Sequence, residues 1–101
     1  ITAKITASGK TSSIKVSGSK TFTVTYYDED DQPMEYISGD WSFFINNEDA
    51  SDLLSISYPS DNKVKVKFIG SEDYIGSILT VKFTSEDGNV TASLNVGIIA
   101  F

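Results

Sequence analysis

Ser77-Ile78-Leu79-Thr80-Val81-Lys82-Phe83-Thr84-Ser85, then Glu86-Asp87-Gly88, then Asn89-Val90-Thr91-Ala92-Ser93-Leu94-Asn95-Val96-Gly97-Ile98, is the run from which the architecture of this chain is read. Leu79, Val81 and Phe83 alternate with Thr80, Lys82 and Thr84. Val90, Ala92, Leu94, Val96 and Ile98 alternate with Thr91, Ser93, Asn95 and Gly97. A period of two gives strands with one dry and one wet face, because successive side chains of an extended backbone point to opposite sides. Glu86-Asp87-Gly88 between two such runs reads as a hairpin turn.

The same period extends towards the N-terminus. Phe22, Val24 and Tyr26 alternate with Thr21, Thr23 and Thr25, and Val64, Val66 and Phe68 alternate with Lys63, Lys65 and Lys67. The β-branched and aromatic content of these runs agrees with strands. The predicted strands are 2–7, 12–17, 20–27, 41–46, 53–58, 63–69, 77–85 and 89–98. Ser8-Gly9, Ser17-Gly18-Ser19 and Pro59-Ser60-Asp61-Asn62 supply turns between them. The polar segment 28–40, with Pro33 and the closing Ser38-Gly39-Asp40, is read as the longest loop. No helix is expected.

Seven to eight short antiparallel strands in 101 residues predict one all-β domain spanning 1–101, an immunoglobulin-like β-sandwich. Trp41 opens the fourth strand in phase with Phe43 and Ile45, which predicts full burial between the sheets. Phe22, Phe43, Phe68 and Phe83 are assigned to the same core. Tyr74, just before the seventh strand, stands where a tyrosine corner belongs: ring on the core edge, hydroxyl on backbone. The chain starts at Ile1 rather than Met, and the expectation is a domain excised from a longer protein.

Charge is uneven. The net charge is −6, with no arginine. Residues 1–20 carry four lysines and no acid, whereas residues 21–61 carry ten acids and no lysine. Nucleic acid is excluded as a partner, because phosphate recognition needs a basic footprint. Membrane insertion through a helix is not expected either, since the longest apolar runs, such as Gly97 to Phe101, fall far short of the roughly 20 residues a span needs.

Histidine and cysteine are absent. Without an imidazole or thiol, the Ser-His-Asp and Cys-His nucleophilic systems and the usual zinc sites cannot be built. No catalytic residue and no cofactor is assigned, and the chain is read as non-enzymatic. Four further features bear on metals, partners and modification. Asp28, Asp30 and Asp31, in the cluster Asp28-Glu29-Asp30-Asp31, offer hard oxygen ligands that suit calcium. They lack the glycine and terminal glutamate of an EF-hand loop, and a solvated loop is the preferred reading. Tyr27, Tyr36 and Phe44 lie in a loop or out of phase with the dry face of their strand. They are the candidate partner contacts, against the alternative of packing under a loop. Lys4 and Asn95, on the first and last strands, have the residue types of an intramolecular isopeptide bond, but Asn95 falls in the wet phase, which argues against one. Asn89-Val90-Thr91 is a formal glycosylation sequon and is treated as chance.

Taken together, several pieces resemble bacterial immunoglobulin-like modules, most closely those appended to tail proteins of phages and prophages of Gram-positive bacteria. They are Ile14-Lys15-Val16-Ser17-Gly18 with Thr21-Phe22-Thr23-Val24, Trp41-Ser42-Phe43, Leu54-Ser55-Ile56, Tyr74-Ile75-Gly76-Ser77-Ile78-Leu79, Asp87-Gly88 and the closing Ile98-Ile99-Ala100-Phe101. The resemblance implies a structural or accessory role on a virion or cell surface. Its partners would be neighbouring domains of the parent protein and, weakly, host cell-surface glycan, and the isolated domain is expected to be a monomer. The competing reading is a carbohydrate- or protein-binding module attached to a bacterial surface protein or a secreted hydrolase.

Overall fold

The computed structural model describes residues 1–9 and 12–100. Lys10 and Phe101, both used above, lie outside the described residues. The described residues form nine strands: β1 (Thr2–Ala7), β2 (Ser13–Lys15), β3 (Ser19–Tyr27), β4 (Gly39–Ile45), β5 (Glu48–Asp49), β6 (Leu54–Ser60), β7 (Lys63–Phe68), β8 (Ile78–Ser85) and β9 (Thr91–Ile99). They make two sheets, in the orders β1-β3-β7-β6 and β2-β9-β8-β4-β5. All pairs are antiparallel except β2 with β9, which run parallel. The dry phases of both sheets meet in one core built around Phe22, Val24, Tyr26, Val64, Val66 and Phe68 from the first sheet and Phe43, Leu79, Val81, Phe83, Val96 and Ile98 from the second.

Most predicted boundaries fall within two residues of the observed ones, and the shifts have local causes. β2 is shorter than predicted, because Ser17 turns into the left-handed region (φ 65°) and the Gly18 amide closes a turn on the Lys15 carbonyl at 2.8 Å. The strand β6 runs on through Pro59 and Ser60, which were read as turn. It is an edge strand with a register shift between Ser57 and Ser60, where a residue without an N–H is tolerated. Two 3-10 turns, Ser51–Leu53 and Glu72–Tyr74, and the two-residue β5 carry no periodic signal and were not anticipated.

Trp41 corrects an expectation. Its ring faces the core and meets Phe83 edge-on at 5.1 Å, yet the residue is half-buried rather than sealed between the sheets. The reason is the neighbour it lacks. Beyond β4, the strand β5 pairs only with Phe44 and Ile45, so at Trp41 the sheet ends. The tyrosine-corner expectation divides in two. The Tyr74 ring does pack edge-on against Phe68, at 5.8 Å. The hydroxyl-to-backbone bond is made instead by Tyr26, which donates to the Ile37 carbonyl at 2.9 Å.

The chain enters and leaves at opposite ends of a body measuring 42 × 26 × 21 Å. Thr2 pairs with Tyr27, at the end of β3. Ile99 accepts from the Val16 amide, and Ser17 donates to the Phe68 carbonyl, beside Lys67 and its partner Ser19 at the start of β3. Nine residues of strand separate the two places, roughly 30 Å at the usual rise per residue.

Candidate functional site

The entry end holds the polar loop. Asp28 organises it: one carboxylate oxygen accepts from the Asp30 amide at 2.9 Å and the Gln32 amide at 3.0 Å, while its own amide donates to the Gln32 carbonyl. Asp31 sits at φ 59°, a conformation that Asp tolerates better than most residues. Among the described residues no group of three or more acidic side chains is placed to hold a metal ion. Asp28 thus caps the loop through the loop's own backbone amides.

Beneath the loop four aromatic rings converge. Phe83, fully buried, meets Tyr26 at 6.1 Å, Tyr36 at 6.1 Å and Trp41 at 5.1 Å, and Tyr26 meets Tyr36 edge-on at 6.2 Å. Edge-on contacts set the positive rim of one ring against the negative face of the next. Burial pushes both phenols above the usual tyrosine range. Tyr36 and Asp87 add to this for Tyr26. For Tyr36 a backbone contact from Gly39 opposes the rise, and Asp61, Glu86 and Asp40 add to it. Acids from three separate segments thus crowd this end, a grouping that sequence order hides. Tyr36, a partner-contact candidate, is half-buried, with its ring packed against Tyr26 and Phe83.

The other two candidates lie on opposite outer surfaces. Tyr27 is on the outer face of the β1-β3-β7-β6 sheet, with the Lys4 ammonium 5.3 Å from its ring centre. Phe44 is on the outer face of the second sheet, between Thr80 of β8 and Asp49 of β5. Tyr27, Tyr36 and Phe44 therefore make no common surface. The same topology separates Lys4 from Asn95, whose side chain accepts from the Thr80 hydroxyl at 2.9 Å on the Phe44 side.

Around Phe44 the register builds an open hollow of about 210 Å³, lined by Phe44, Asn47, Thr80 and Lys82. That is below the roughly 300–1,000 Å³ of a pocket for a drug-sized ligand. Its chemistry is one aromatic ring beside amide, hydroxyl and ammonium groups. On the other side of Phe44, the Asp49 carboxyl is held below its usual range by the Ser51 hydroxyl and amide. The arrangement can stack and hydrogen-bond a small polar ring.

One residue passed over in the sequence is Lys20. It shares the dry phase of Phe22 and Val24 and is only 7% exposed. The signal was present: a lysine in phase with a core run. No protein-family model matches this chain, and no curated protein matches it either.

Proposed function

We propose that the chain is an immunoglobulin-like module with a non-enzymatic, structural or accessory role in a phage tail or bacterial surface protein, aiding weak adhesion to the host envelope. Three features support the immunoglobulin-like reading. The first strand is divided between the sheets as β1 and β2. Its second half runs parallel to the last strand. A half-buried Trp41 leans on the core from the strand β4. The observation that carries the role is the placement of Ile1 and Ile99 at opposite ends of a 42 Å body, which suits a module strung in series. In a repetitive assembly, single-site contacts too weak to matter alone sum to useful avidity.

A second reading, a dedicated carbohydrate- or protein-binding module, is favoured by the Phe44 hollow alone. The two are separated by binding the isolated domain, and a multivalent display of it, to Gram-positive cell-wall material. The structural role expects no measurable monomer binding below millimolar concentration, with retention only in the multivalent form. Micromolar monomer binding that is lost in Phe44→Ala would replace it with the second reading.

A further inference from the structure

We propose that the seam between the two sheets at the exit end is an oxyanion site, with the Lys20 ammonium as its fixed charge. The turn from β2 to β3 carries the chain from one sheet to the other. Lys15 and Lys20 stand at its two ends, lining a hollow of about 410 Å³ together with Ser13, Ile14, Gly18, Ser19 and Ile99. Among the described residues no acid lines it, and residues 1–20 contain none.

Lys20 is what distinguishes this hollow from an ordinary lysine-bearing surface. Its side chain lies in the inner phase of β3, nine-tenths buried, and makes no hydrogen bond, ion pair or ring contact among the described residues. The ammonium is nonetheless not sealed, because no side-chain nitrogen or oxygen is left both buried and unpartnered among the described residues. The stem is thus held by the core, and the tip reaches the surface next to Gly9, where an added Cβ would lie 3.4 Å from Nζ. A cation on a fixed stem, with no acid beside it among the described residues, favours an anion from solution. Held rigidly by packing, it loses little side-chain freedom when the anion arrives. Lys15, exposed at the other end of the turn, supplies a second, adjustable ammonium. The ligand chemistry is a single phosphate or carboxylate group, presented at the surface of a larger molecule.

The inference does not depend on the role proposed above. It is tested by following the amide resonances of the whole chain while inorganic phosphate, and separately acetate, is added at constant ionic strength. The expected result is saturable shifts centred on Gly18, Ser19 and Lys20, at millimolar concentration for at least one of the two anions. The shifts should weaken at least tenfold in Lys20→Met and persist in Lys4→Met, whose substitution lies on the outer face of the first sheet. Saturation by phosphate alone would identify a phosphate-bearing ligand, and saturation by both anions would include carboxylates. Shifts that do not saturate, spread over all lysines in the wild-type chain, or survive unchanged in Lys20→Met would overturn the site. The wild-type map alone decides the first two outcomes if Lys20→Met fails to fold.

Discussion

The Tyr26 hydroxyl donates to the Ile37 carbonyl at 2.9 Å, and this bond fastens the long entry loop to the floor of the sandwich. Tyr26 is itself 1% exposed, so the loop is held from inside. Tyr26→Phe keeps the ring and removes the bond. It should lower stability by about 0.5–1.5 kcal/mol, the net worth of a typical hydrogen bond, and speed amide exchange in 28–38 before other segments. Urea unfolding and hydrogen exchange check both effects.

Alkali should act on the same cluster. The folded-state pKa values of Tyr26 and Tyr36 are raised, chiefly by burial. A tyrosine with a raised folded pKa contributes stability that is complete below its unfolded value, about 10. That contribution is lost as pH rises through and beyond it. Stability should therefore fall above about pH 10, and less steeply in the double variant Tyr26→Phe, Tyr36→Phe. Equal slopes for the two proteins in urea melts from pH 8 to 11 would count against the buried phenols.

Phe83 and Trp41 touch but should not weigh alike. Phe83→Ala empties a fully buried position and should cost roughly 3–5 kcal/mol. Trp41→Ala should fall below that range, because the sheet edge leaves the indole half-exposed. Native tryptophan emission should lie between that of a sealed indole and that of free tryptophan in water. A strongly blue-shifted maximum would restore the sealed position that strand phase alone implies.

Glycine substitutions separate crowding from open surface. A Cβ on Gly39 would run into the Thr84 carbonyl oxygen and come within 2.6 Å of the Phe83 ring, whereas one on Gly97 meets nothing within 4 Å. Gly39→Ala should destabilise by about 1–3 kcal/mol, as overpacking does. Gly97→Ala should be neutral or stabilise by up to roughly 1 kcal/mol, since glycine inside a strand is unfavourable. Thermal melts of the two variants give the comparison directly.

The β8–β9 hairpin rests on Ser85, which donates to Asp87 at 2.5 Å and accepts from the Val90 amide at 3.1 Å. The Ser85 hydroxyl, with the Asn89 amide, holds the Asp87 carboxyl below its usual range. A lowered folded pKa contributes stability above the unfolded value, lost as pH falls through the folded one. Ser85→Ala should therefore destabilise at pH 7 and flatten the acid limb below about pH 4. At the entry loop, melts in EDTA and in millimolar calcium should coincide, because Asp28 already caps its own backbone. A calcium-dependent rise in midpoint would mean selective binding to the folded chain.

Which residues face inward was legible in the sequence, because alternation is a local property of extended backbone. Phe22, Phe43, Phe68, Phe83, Leu79 and Val96 needed only their phase to be placed in the core, and Asp87-Gly88 needed only its turn chemistry. Phase does not say which strand lies alongside or where a sheet stops. Trp41 has the right phase and is still half-exposed, because β5 is two residues long. Lys20 has the phase of a core residue, and only the end of the sandwich gives its ammonium a way out. Tyr36 lies in a segment without alternation, so its place against Phe83 had no local signal. The convergence of Asp40, Asp61 and Glu86 on Tyr36, and the separation of Phe44 from Tyr27, were set by strand order. Strand order comes from long-range pairing across two sheets, which no window of neighbouring residues contains.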